Sequence, residues 1–384
     1  MTDRIRPRIT PQAELTTAPL KVQRGAVVAS LRRRPGSRSD LTRRLGLSSS
    51  TMTRIVAALL ADGWVVEAGF EALAVGRPKK ILTLNPAVGH VVTAVLGPGT
   101  LDVRIVDASG GLLLEGTRAL ALPSDPSEIL GHLDCLIAES GADNRTLAVG
   151  FSAPGAVGAD GAVVQAPDLG WTEPVHMATE ARAHFGCAVT VDNDVNLMMF
   201  AEAVSGAAVD VTEAAFLYHG VGGIGLGVWS GGSVLTGAHG TSGEIGLIPI
   251  DLAAAGGDPA LLEASYSLAA IAERLRGLGV ADVSAPLEAL TAAAAACLDG
   301  GLLDELERVV GRVLGIVALL LDPQLIVIGG GLRTVLDGRV DDLRSRLVGW
   351  VPSAPRLELS RLGEMELQLA VQTKCWDALL LEEL

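Results

Sequence analysis

A run of residues near position 50 places small hydroxyl side chains and one arginine on one side of a predicted helix. Apolar residues recur at helical spacing between residues 52 and 60, and Ser48 is a residue type that favours a helix N-cap. Hydroxyl groups allow close approach to the major groove of DNA, and a guanidinium group can bond guanine edges or phosphates. The pattern therefore predicts a recognition helix. Its predicted buried stripe is Met52, Ile55, Val56, Leu59 and Leu60, and its predicted DNA contacts are Ser48, Ser49, Ser50, Thr51, Thr53 and Arg54.

A basic loop follows this helix. Two strand-like runs, residues 63–67 and 80–84, flank a loop in which Arg77 stands between a glycine and a proline. An arginine held in this way can enter an A·T-rich minor groove, and lysines beside it can bind phosphates. We therefore add Arg77, Lys79 and Lys80 to the predicted DNA contacts. The alternative is a plain basic hairpin tip, which suits Lys79 better than Arg77.

Two preceding helices would hold the recognition helix in place. An apolar face over residues 22–34 predicts the first. Ser37 and Asp40 have the spacing of a capping box at the start of the second, and Gly46 can end it. Three short helices followed by a two-stranded wing predict a winged helix-turn-helix DNA-binding domain over residues 1–85. The alternative is a solvated polar face on an ordinary three-helix bundle.

The distribution of charge agrees with this assignment. Residues 1–85 carry a formal net charge of +9 and residues 86–384 one of −23, within a total of −14. A basic domain attracts the phosphate backbone, whereas an acidic domain repels it, so we expect nucleic-acid contact only in the first 85 residues. A merely solvated basic tail would give the same charge.

Composition limits the class of protein further. Aromatic residues make up only 3% of the chain, so the core must come from aliphatic side chains, as in α/β proteins. The polar N-terminus does not suit a secretory signal, and the longest apolar run, residues 313–321, is too short to span a bilayer. Wide spacing of the cysteines indicates reduced, mostly buried thiols and a cytoplasmic protein with no membrane partner. They are Cys135, Cys187, Cys297 and Cys375.

Several motifs of the remaining chain resemble the ROK family, whose name joins repressors, open reading frames and sugar kinases. The resembling motifs run from the head through Asn85-Pro86 to the glycine turn at 329–331, so nearly the whole chain is covered. The family's repressors carry a winged head, and its kinases lack it. The resembling segments are 148–155, 166–171, 191–196, 237–246, 262–264 and 322–331. The resemblance implies a two-lobed, actin-like or ribonuclease-H-like sugar-kinase-type body over 86–384. It places the first lobe at about 86–196 plus a C-terminal helix at 365–384, and the second lobe at about 197–364.

The same resemblance implies a sugar pocket. Asn193 and Asp194 fall where the family binds sugar, and Asp194 has the position of the kinase base, which takes the proton of the attacking hydroxyl. For an isolated Asn-Asp pair, an ordinary turn is the alternative. Asp168 stands where the family usually has asparagine, and His239 is either a ligand contact or a loop-stabilising hydrogen bonder. The predicted effector-binding residues are Asp168, Asn193, Asp194, His239, Glu244 and Glu263.

Other positions depart from the kinase pattern. The first phosphate turn of the family reads Asp-x-Gly-x-Thr, but residues 95–100 here lack the acidic residue, and Pro98 has no N–H to donate. The second phosphate turn, residues 221–225, lacks the usual threonine. Leu247 replaces the histidine that serves the family's zinc and sugar sites, and residues 250–259 lack the three zinc-binding cysteines. We therefore expect no metal, no cofactor, no catalytic residue and no phosphate transfer, with Asp194 a vestige.

Three hypotheses follow from these observations. The first is a sequence-specific DNA-binding transcriptional regulator, expected to repress, that binds an operator as a homodimer or higher homo-oligomer and senses a small carbohydrate-like effector. The second is an active ATP-dependent sugar kinase with an attached DNA-binding domain. The third is a DNA-binding protein whose body only dimerises.

Overall fold

The computed structural model describes residues 15–71, 78–251, 260–277 and 300–382. It divides into two compact units. The first contains residues 1–155, 160–192 and 368–384, and the second contains residues 156–159 and 193–367. In this division the residues of the predicted head fall in the same unit as the first sheet of the body. The predicted boundary at residue 85 and the predicted lobe limits stay predictions.

Residues 20–84 form three helices and, apart from the undescribed residues 72–77, a two-stranded sheet. These elements are α1 (Leu20–Arg33), α2 (Arg38–Leu45), α3 (Ser49–Ala61), β1 (Val65–Glu71) and β2 (Lys79–Leu84). The Ser37 hydroxyl accepts a hydrogen bond from the Asp40 N–H, and the Asp40 carboxylate accepts one from the Ser37 N–H, which confirms the predicted capping box. Gly46 ends α2 with φ of 70°. Strands β1 and β2 pair antiparallel, with a bulge between Glu67 and Gly69.

Helix α3 has the predicted buried stripe with one difference. Met52, Ile55, Val56 and Leu59 are buried. Leu60 is only half-buried, because at 100° per residue it lies at the edge of the face that those four residues form. The Ser48 hydroxyl caps the helix by accepting a hydrogen bond from the Thr51 N–H at 3.1 Å, as predicted.

The rest of the first unit is built on a five-stranded sheet. Its strand order is β5-β4-β3-β6-β9, with β3, β4 and β5 antiparallel and β6 parallel to β3. The elements are β3 (His90–Gly97), β4 (Thr100–Asp107), β5 (Leu112–Ala119), α4 (Pro126–Glu139), β6 (Thr146–Ala153), β8 (Val163–Gln165), α5 (Met177–Phe185) and β9 (Ala188–Asn193), whereas the short strand β7 (Ala156–Val157) belongs to the second unit. Of the cysteines, Cys187 and Cys375 are buried and Cys135 is exposed, and Cys297 lies outside the described residues.

The C-terminal helix, α12 (Glu364–Glu382), joins this sheet to α1. On the sheet side, the Thr93 hydroxyl donates a hydrogen bond to the Gln368 side chain at 2.7 Å. On the other side, the Arg32 guanidinium lies 5.1 Å from the centre of the Trp376 ring, and Lys21 donates to the Glu382 carbonyl at 3.0 Å. Nothing in the sequence predicted that α1 packs on α12.

The second unit contains another five-stranded sheet, in the order β12-β11-β10-β15-β16. Strand β10 pairs antiparallel with β11 and parallel with β15. The elements are α6 (Asp194–Ser205), β10 (Glu213–His219), β11 (Ile224–Ser230), β12 (Ser233–Val234), β13 (Pro249–Asp251), β14 (Ala260–Leu261), α7 (Leu262–Tyr266), α8 (Leu268–Gly277), α9 (Gly300–Leu321), β15 (Leu325–Gly330), α10 (Leu332–Val335), α11 (Val340–Val348) and β16 (Arg356–Leu359). No helix among the described residues is long and apolar enough to cross a membrane.

His219, at the end of β10, should make the stability of the protein depend on pH. Its Nε2 lies 2.6 Å from the Tyr266 carbonyl, and burial lowers its pKa from 6.5 to about 4. Between pH 6.5 and about pH 4 this imidazole is protonated in the unfolded chain but stays neutral in the folded chain. The free energy of unfolding should therefore fall by about 3 kcal/mol as pH drops through this window.

The His219→Gln variant tests this expectation, because glutamine keeps an N–H donor but does not titrate. Urea unfolding of the variant at a series of pH values should show a smaller loss of stability on acidification. The matched control is His176→Gln, since His176 is exposed. An unchanged pH dependence in His219→Gln would contradict the assignment.

Candidate functional site

The predicted recognition face of α3 is open to solvent. Ser49, Ser50, Thr53 and Arg54 are exposed, and so is the capping residue Ser48. Thr51 is half-buried. The structure thus brings together the six residues that the sequence assigned to this face.

Internal hydrogen bonds already use several hydroxyl groups of this face. The Ser48 hydroxyl lies 2.9 Å from those of Ser50 and Thr51, and the Thr53 hydroxyl donates to the Ser49 carbonyl at 2.8 Å. Among the described residues, Arg54 makes no ion pair with a carboxylate. Arg54 is therefore the charged side chain of this face that has donors available for a base edge or a phosphate.

Unlike Arg54, the two described basic residues of the wing form ion pairs with carboxylates. Arg77 lies outside the described residues. The Lys79 ammonium group lies 3.8 Å from the Asp40 carboxylate, and that of Lys80 lies 2.6 Å from the Glu67 carboxylate. The Lys80–Glu67 pair is exposed, and the Lys79–Asp40 pair is half-buried. An exposed ion pair contributes only about 0 to 1 kcal/mol, so a phosphate can displace the Glu67 carboxylate from Lys80 at little cost. The DNA contacts of Arg77, Lys79 and Lys80 stay predictions.

Asn193 and Asp194 are fixed at the start of α6. The Asn193 side chain caps the helix by accepting a hydrogen bond from the Asn196 N–H at 3.0 Å, and it donates to the Asp194 carboxylate at 3.1 Å. The same carboxylate oxygen accepts from the Val195 N–H at 2.7 Å. A helix N-terminus favours a negative charge, so this position suits an ionised carboxylate that accepts hydroxyl protons.

Glycines allow neighbouring segments to approach β11 closely. A Cβ atom on Gly225 would stand 2.8 Å from Val195 of α6, and one on Gly227 would stand 2.5 Å from Met199. A Cβ on Gly243 would stand 1.8 Å from the Leu226 carbonyl, and the Leu226 N–H donates to the Gly243 carbonyl at 2.9 Å. Strand β11 therefore supports both the helix that begins at Asp194 and the loop that leads to Glu244.

Glu244 and Glu263 form a pair of neighbouring carboxylates. Burial raises the pKa of Glu244, and the charge of Glu263 raises it further. The Glu263 carboxylate lies against Gly246 and Gly223, because a Cβ on either glycine would stand 2.2 Å or 3.4 Å from its Oε2 atom. Two half-buried acceptors beside a glycine turn can accept hydrogen bonds from a ligand rich in hydroxyl groups.

The other predicted pocket residues are more exposed to solvent than Glu244 and Glu263. His239 is exposed in the loop that precedes Glu244, and Leu247, at the family's histidine position, is also exposed. Asp168 is exposed on the short helical turn Pro167–Leu169 and belongs to the first compact unit, whereas the other five belong to the second. Most of the segment where the family's zinc-binding cysteines would fall, residues 252–259, lies outside the described residues.

Backbone pairing or hydrogen bonds hold both candidate phosphate turns in place. Gly97 and Thr100 pair across the tight turn between β3 and β4, which contains Pro98. In the second turn, the carbonyls of Gly220 and Val221 accept hydrogen bonds from the N–H groups of Leu268 and Ala269 at 3.1 Å and 3.0 Å. Gly222, where the family has threonine, is exposed. The first turn therefore lacks the carboxylate that the kinase pattern has, and the second lacks the hydroxyl group.

Sequence reasoning missed the contact of Arg32 with Trp376, which positions the first helix of the head. The pair is separated by more than 340 residues, and no periodicity or motif marks it. Sequence reasoning also did not predict that Glu244 and Glu263 adjoin, although the resemblance assigned both to sugar.

Comparisons with known proteins agree with this description. A family model described as "ROK family" matches residues 96–363. The DNA-binding transcriptional repressor Mlc of Escherichia coli is 27% identical over 324 residues, which is 79% of each chain. The xylose repressor of Caldicellulosiruptor bescii is 26% identical over 216 residues, 55% of this chain and 54% of the relative. The chain thus spans about half the length of the xylose repressors it matches.

Two solved structures are similar over large parts of the chain. A ROK family transcriptional regulator, described as a homologue of the E. coli MLC protein, has a TM-score of 0.75 at 24% identity and covers 94% of this chain and 98% of that chain. A ROK family glucokinase from Streptomyces griseus, solved with glucose and AMPPNP, has a TM-score of 0.58 at 25% identity and covers 74% and 98%. These likenesses confirm the predicted fold class, a winged helix-turn-helix with a sugar-kinase-type body.

Proposed function

The chain belongs to the ROK family, and from this premise we propose that it is a sequence-specific DNA-binding transcriptional repressor whose body senses a small carbohydrate-like effector. The observation that carries this function is the exposed face of α3, on which Arg54 has no carboxylate partner among the described residues. The basic charge of the first 85 residues supports it, as do the names of the repressor relatives.

The effector is proposed to contact the carboxylates of Asp194, Glu244 and Glu263, the carboxamide of Asn193 and the His239 ring. The assignment of Asp168, in the first compact unit, stays a prediction from the sequence. Sugars present many hydroxyl donors, and this set supplies mainly acceptors. Because relatives are named for xylose and a similar structure holds glucose, a pentose and a hexose are the first ligands to test. Leu247 replaces a polar residue of the family's pocket, which favours a ligand with fewer hydroxyl groups or an apolar substituent.

Calorimetry of the full chain with xylose, glucose and deoxy or acetylated sugars tests this assignment. We expect one of them to bind and the Glu244→Gln variant to bind it at least about 10-fold more weakly, since one charged acceptor is lost. Glu244→Gln should also melt at a slightly higher temperature at pH 7, because the raised pKa of Glu244 means that its buried charge costs stability above pH 4.5. The matched control is Glu273→Gln, since Glu273 is exposed on α8 of the same unit.

Two outcomes would contradict the sensing role. If none of the sugars binds, the result would favour a body that only dimerises. Equal binding by Glu244→Gln and the parent protein would place the ligand elsewhere.

A sugar kinase with an attached DNA-binding domain is the second candidate, because Asp194 is retained and held at a helix N-terminus. We propose that the chain does not transfer phosphate, since the first phosphate turn lacks its carboxylate and the second its hydroxyl. A coupled assay with ATP, magnesium and the same sugars should show no turnover above that of Asp194→Ala. Turnover that disappears in Asp194→Ala would establish the kinase instead.

A further inference from the structure

Helix α7 carries Glu263, one of the two neighbouring carboxylates of the candidate pocket, but it has only five residues. The first turn of a helix fixes several backbone dihedral angles for one hydrogen bond, so a helix of this length is not stable by itself. Contacts with other elements of the second unit must therefore set the position of Glu263.

Apolar packing between α7 and α9 is incomplete. Leu262 and Tyr266 of α7 line a small cavity, with room for roughly one water-sized sphere, and Leu306 and Val309 of α9 line it as well. Atoms that face a cavity lack dispersion contacts on that side. Polar contacts therefore have a larger share in holding α7 against α9 than they would have in a close-packed core.

The polar contacts of α7 with these elements converge on Tyr266. Its carbonyl lies 2.6 Å from the His219 Nε2 atom at the end of β10, and its hydroxyl donates a hydrogen bond to the Glu305 carboxylate of α9 at 2.6 Å. The Arg274 guanidinium of α8 lies 5.9 Å from the centre of the Tyr266 ring, within the range of a cation–π contact. Three elements thus hold one residue at the end of α7.

Glu305 is itself fixed by Arg274. The guanidinium donates to both carboxylate oxygens, at 3.1 Å and 2.9 Å. Hydrogen bonds from Arg274 and from the Tyr266 hydroxyl lower the pKa of Glu305, so the carboxylate is ionised at neutral pH. A hydrogen bond to a charged acceptor is stronger than one between neutral groups, and a two-pronged arginine pair also fixes the orientation of that acceptor. The Tyr266 hydroxyl therefore has a rigid anchor.

Glu263 shares a side of α7 with Tyr266. Residues three apart in a helix are neighbours on its surface, and Glu263 stands three residues before Tyr266. Its carboxylate lies beside Gly223, and its charge adds to the effect of burial in raising the pKa of Glu244. A shift of the Tyr266 end of α7 would therefore move the Glu263 carboxylate relative to Glu244.

We propose that Tyr266 is a positioning residue of the effector pocket: its hydroxyl, anchored on Glu305 and Arg274, holds the Glu263 carboxylate beside that of Glu244. This role rests on the proposed function, since the two carboxylates are proposed to bind the effector. The positioning itself can be measured without a ligand.

Carboxyl ¹³C NMR of the full chain, labelled at glutamate and free of sugar, tests this role. The signal of Glu244 is identified by its loss in Glu244→Gln. Tyr266→Phe keeps the ring and removes only the hydroxyl. In this variant the titration midpoint of Glu244 should fall by at least about 0.5, towards its value in Glu263→Gln, because a more distant negative charge raises it less. A midpoint equal to that of the parent protein would overturn the proposal.

Two substitutions of Glu305 separate the hydrogen bond from the charge. Glu305→Ala removes the acceptor and should lower the Glu244 midpoint as Tyr266→Phe does. Glu305→Gln removes the charge but keeps an acceptor for the Tyr266 hydroxyl, so the midpoint should stay within about 0.2 of the parent value. Equal shifts in the two variants would contradict the role of the hydroxyl. The matched control is Asp304→Ala, since Asp304 is exposed next to Glu305 on α9.

Calorimetry with the sugar that the parent protein binds gives a second measurement. Tyr266→Phe should bind it at least about 5-fold more weakly, and adding Glu305→Ala should weaken binding little further, because both variants break the same contact. Losses that multiply in the double variant would contradict a shared contact. If the parent protein binds no sugar, the proposed sensing function fails, whereas the titration of Glu244 still decides whether Tyr266 positions Glu263.

Discussion

The Arg54→Ala variant should bind a selected operator about 10- to 100-fold more weakly than the parent protein, which corresponds to about 1–3 kcal/mol for one base-reading arginine. Arg54 is exposed on α3, and it is the arginine of that face, without a carboxylate partner among the described residues. The operator for this measurement is selected from random duplexes by the parent protein, and affinity is measured by fluorescence anisotropy at fixed salt.

The matched control is Arg43→Ala, on the preceding helix. Arg43 is exposed and pairs with Asp40, so its removal takes away the same charge without removing the proposed base contact. Arg54→Ala should lose discrimination between the operator and a scrambled duplex, whereas Arg43→Ala should weaken both equally and only slightly. Equal losses of operator affinity in the two variants would mean that Arg54 contributes only its charge. Unchanged operator affinity in Arg54→Ala would contradict the assignment of α3 to the DNA interface.

The Trp376→Ala variant should lose about 3–5 kcal/mol of unfolding free energy, the usual cost of deleting a buried aromatic ring. Trp376 is 1% exposed and lies under the Arg32 guanidinium, whose pKa burial lowers to about 10. Loss of the ring leaves a cavity and removes the aromatic face under the half-buried Arg32 guanidinium, so the contact between α1 and α12 should weaken as well. Urea unfolding measures the first effect, and hydrogen exchange of the α1 amides measures the second.

The Trp376→Phe variant separates the two contributions, because phenylalanine keeps an aromatic face for Arg32 in a smaller volume. It should lose less stability than Trp376→Ala and retain most of the protection of α1. A loss below about 1 kcal/mol in Trp376→Ala would be too small for a deleted core aromatic ring. Unchanged exchange in α1 would show that α12 does not hold the first helix of the head.

Local features of the fold were predictable because neighbouring residues determine them. Ser37 and Asp40 cap α2, Gly46 ends it, and Ser48 caps α3, as their spacing predicts. The contact of Arg32 with Trp376 was not predictable, since it depends on how α1 and α12 pack and not on any local pattern. Cys135 is exposed although the composition favoured mostly buried cysteines, because it lies on the outer face of an amphipathic helix, α4.

For the pocket residues, too, some features were predictable from the sequence and others depend on the fold. The resemblance assigned Glu244 and Glu263 to sugar binding, but only the fold shows that their charges interact. Glycines at 223 and 246 leave room for the Glu263 carboxylate beside the segment that carries Glu244. Asn193 looked like a ligand contact in the sequence, and its side chain also caps α6. A substitution there would therefore disturb both the helix and the pocket, which makes Glu244 the cleaner site for testing ligand binding.

Mapping of the DNA bound by the full chain across its genome tests the central claim most directly. A sequence-specific regulator should be enriched at a small number of sites that share an inverted repeat, with half-sites about one helical turn apart, as two winged heads require. The Arg54→Ala protein should lose that enrichment at equal abundance. A profile without sharp sites, or one that Arg54→Ala reproduces, would contradict the assignment of this chain as an operator-binding regulator.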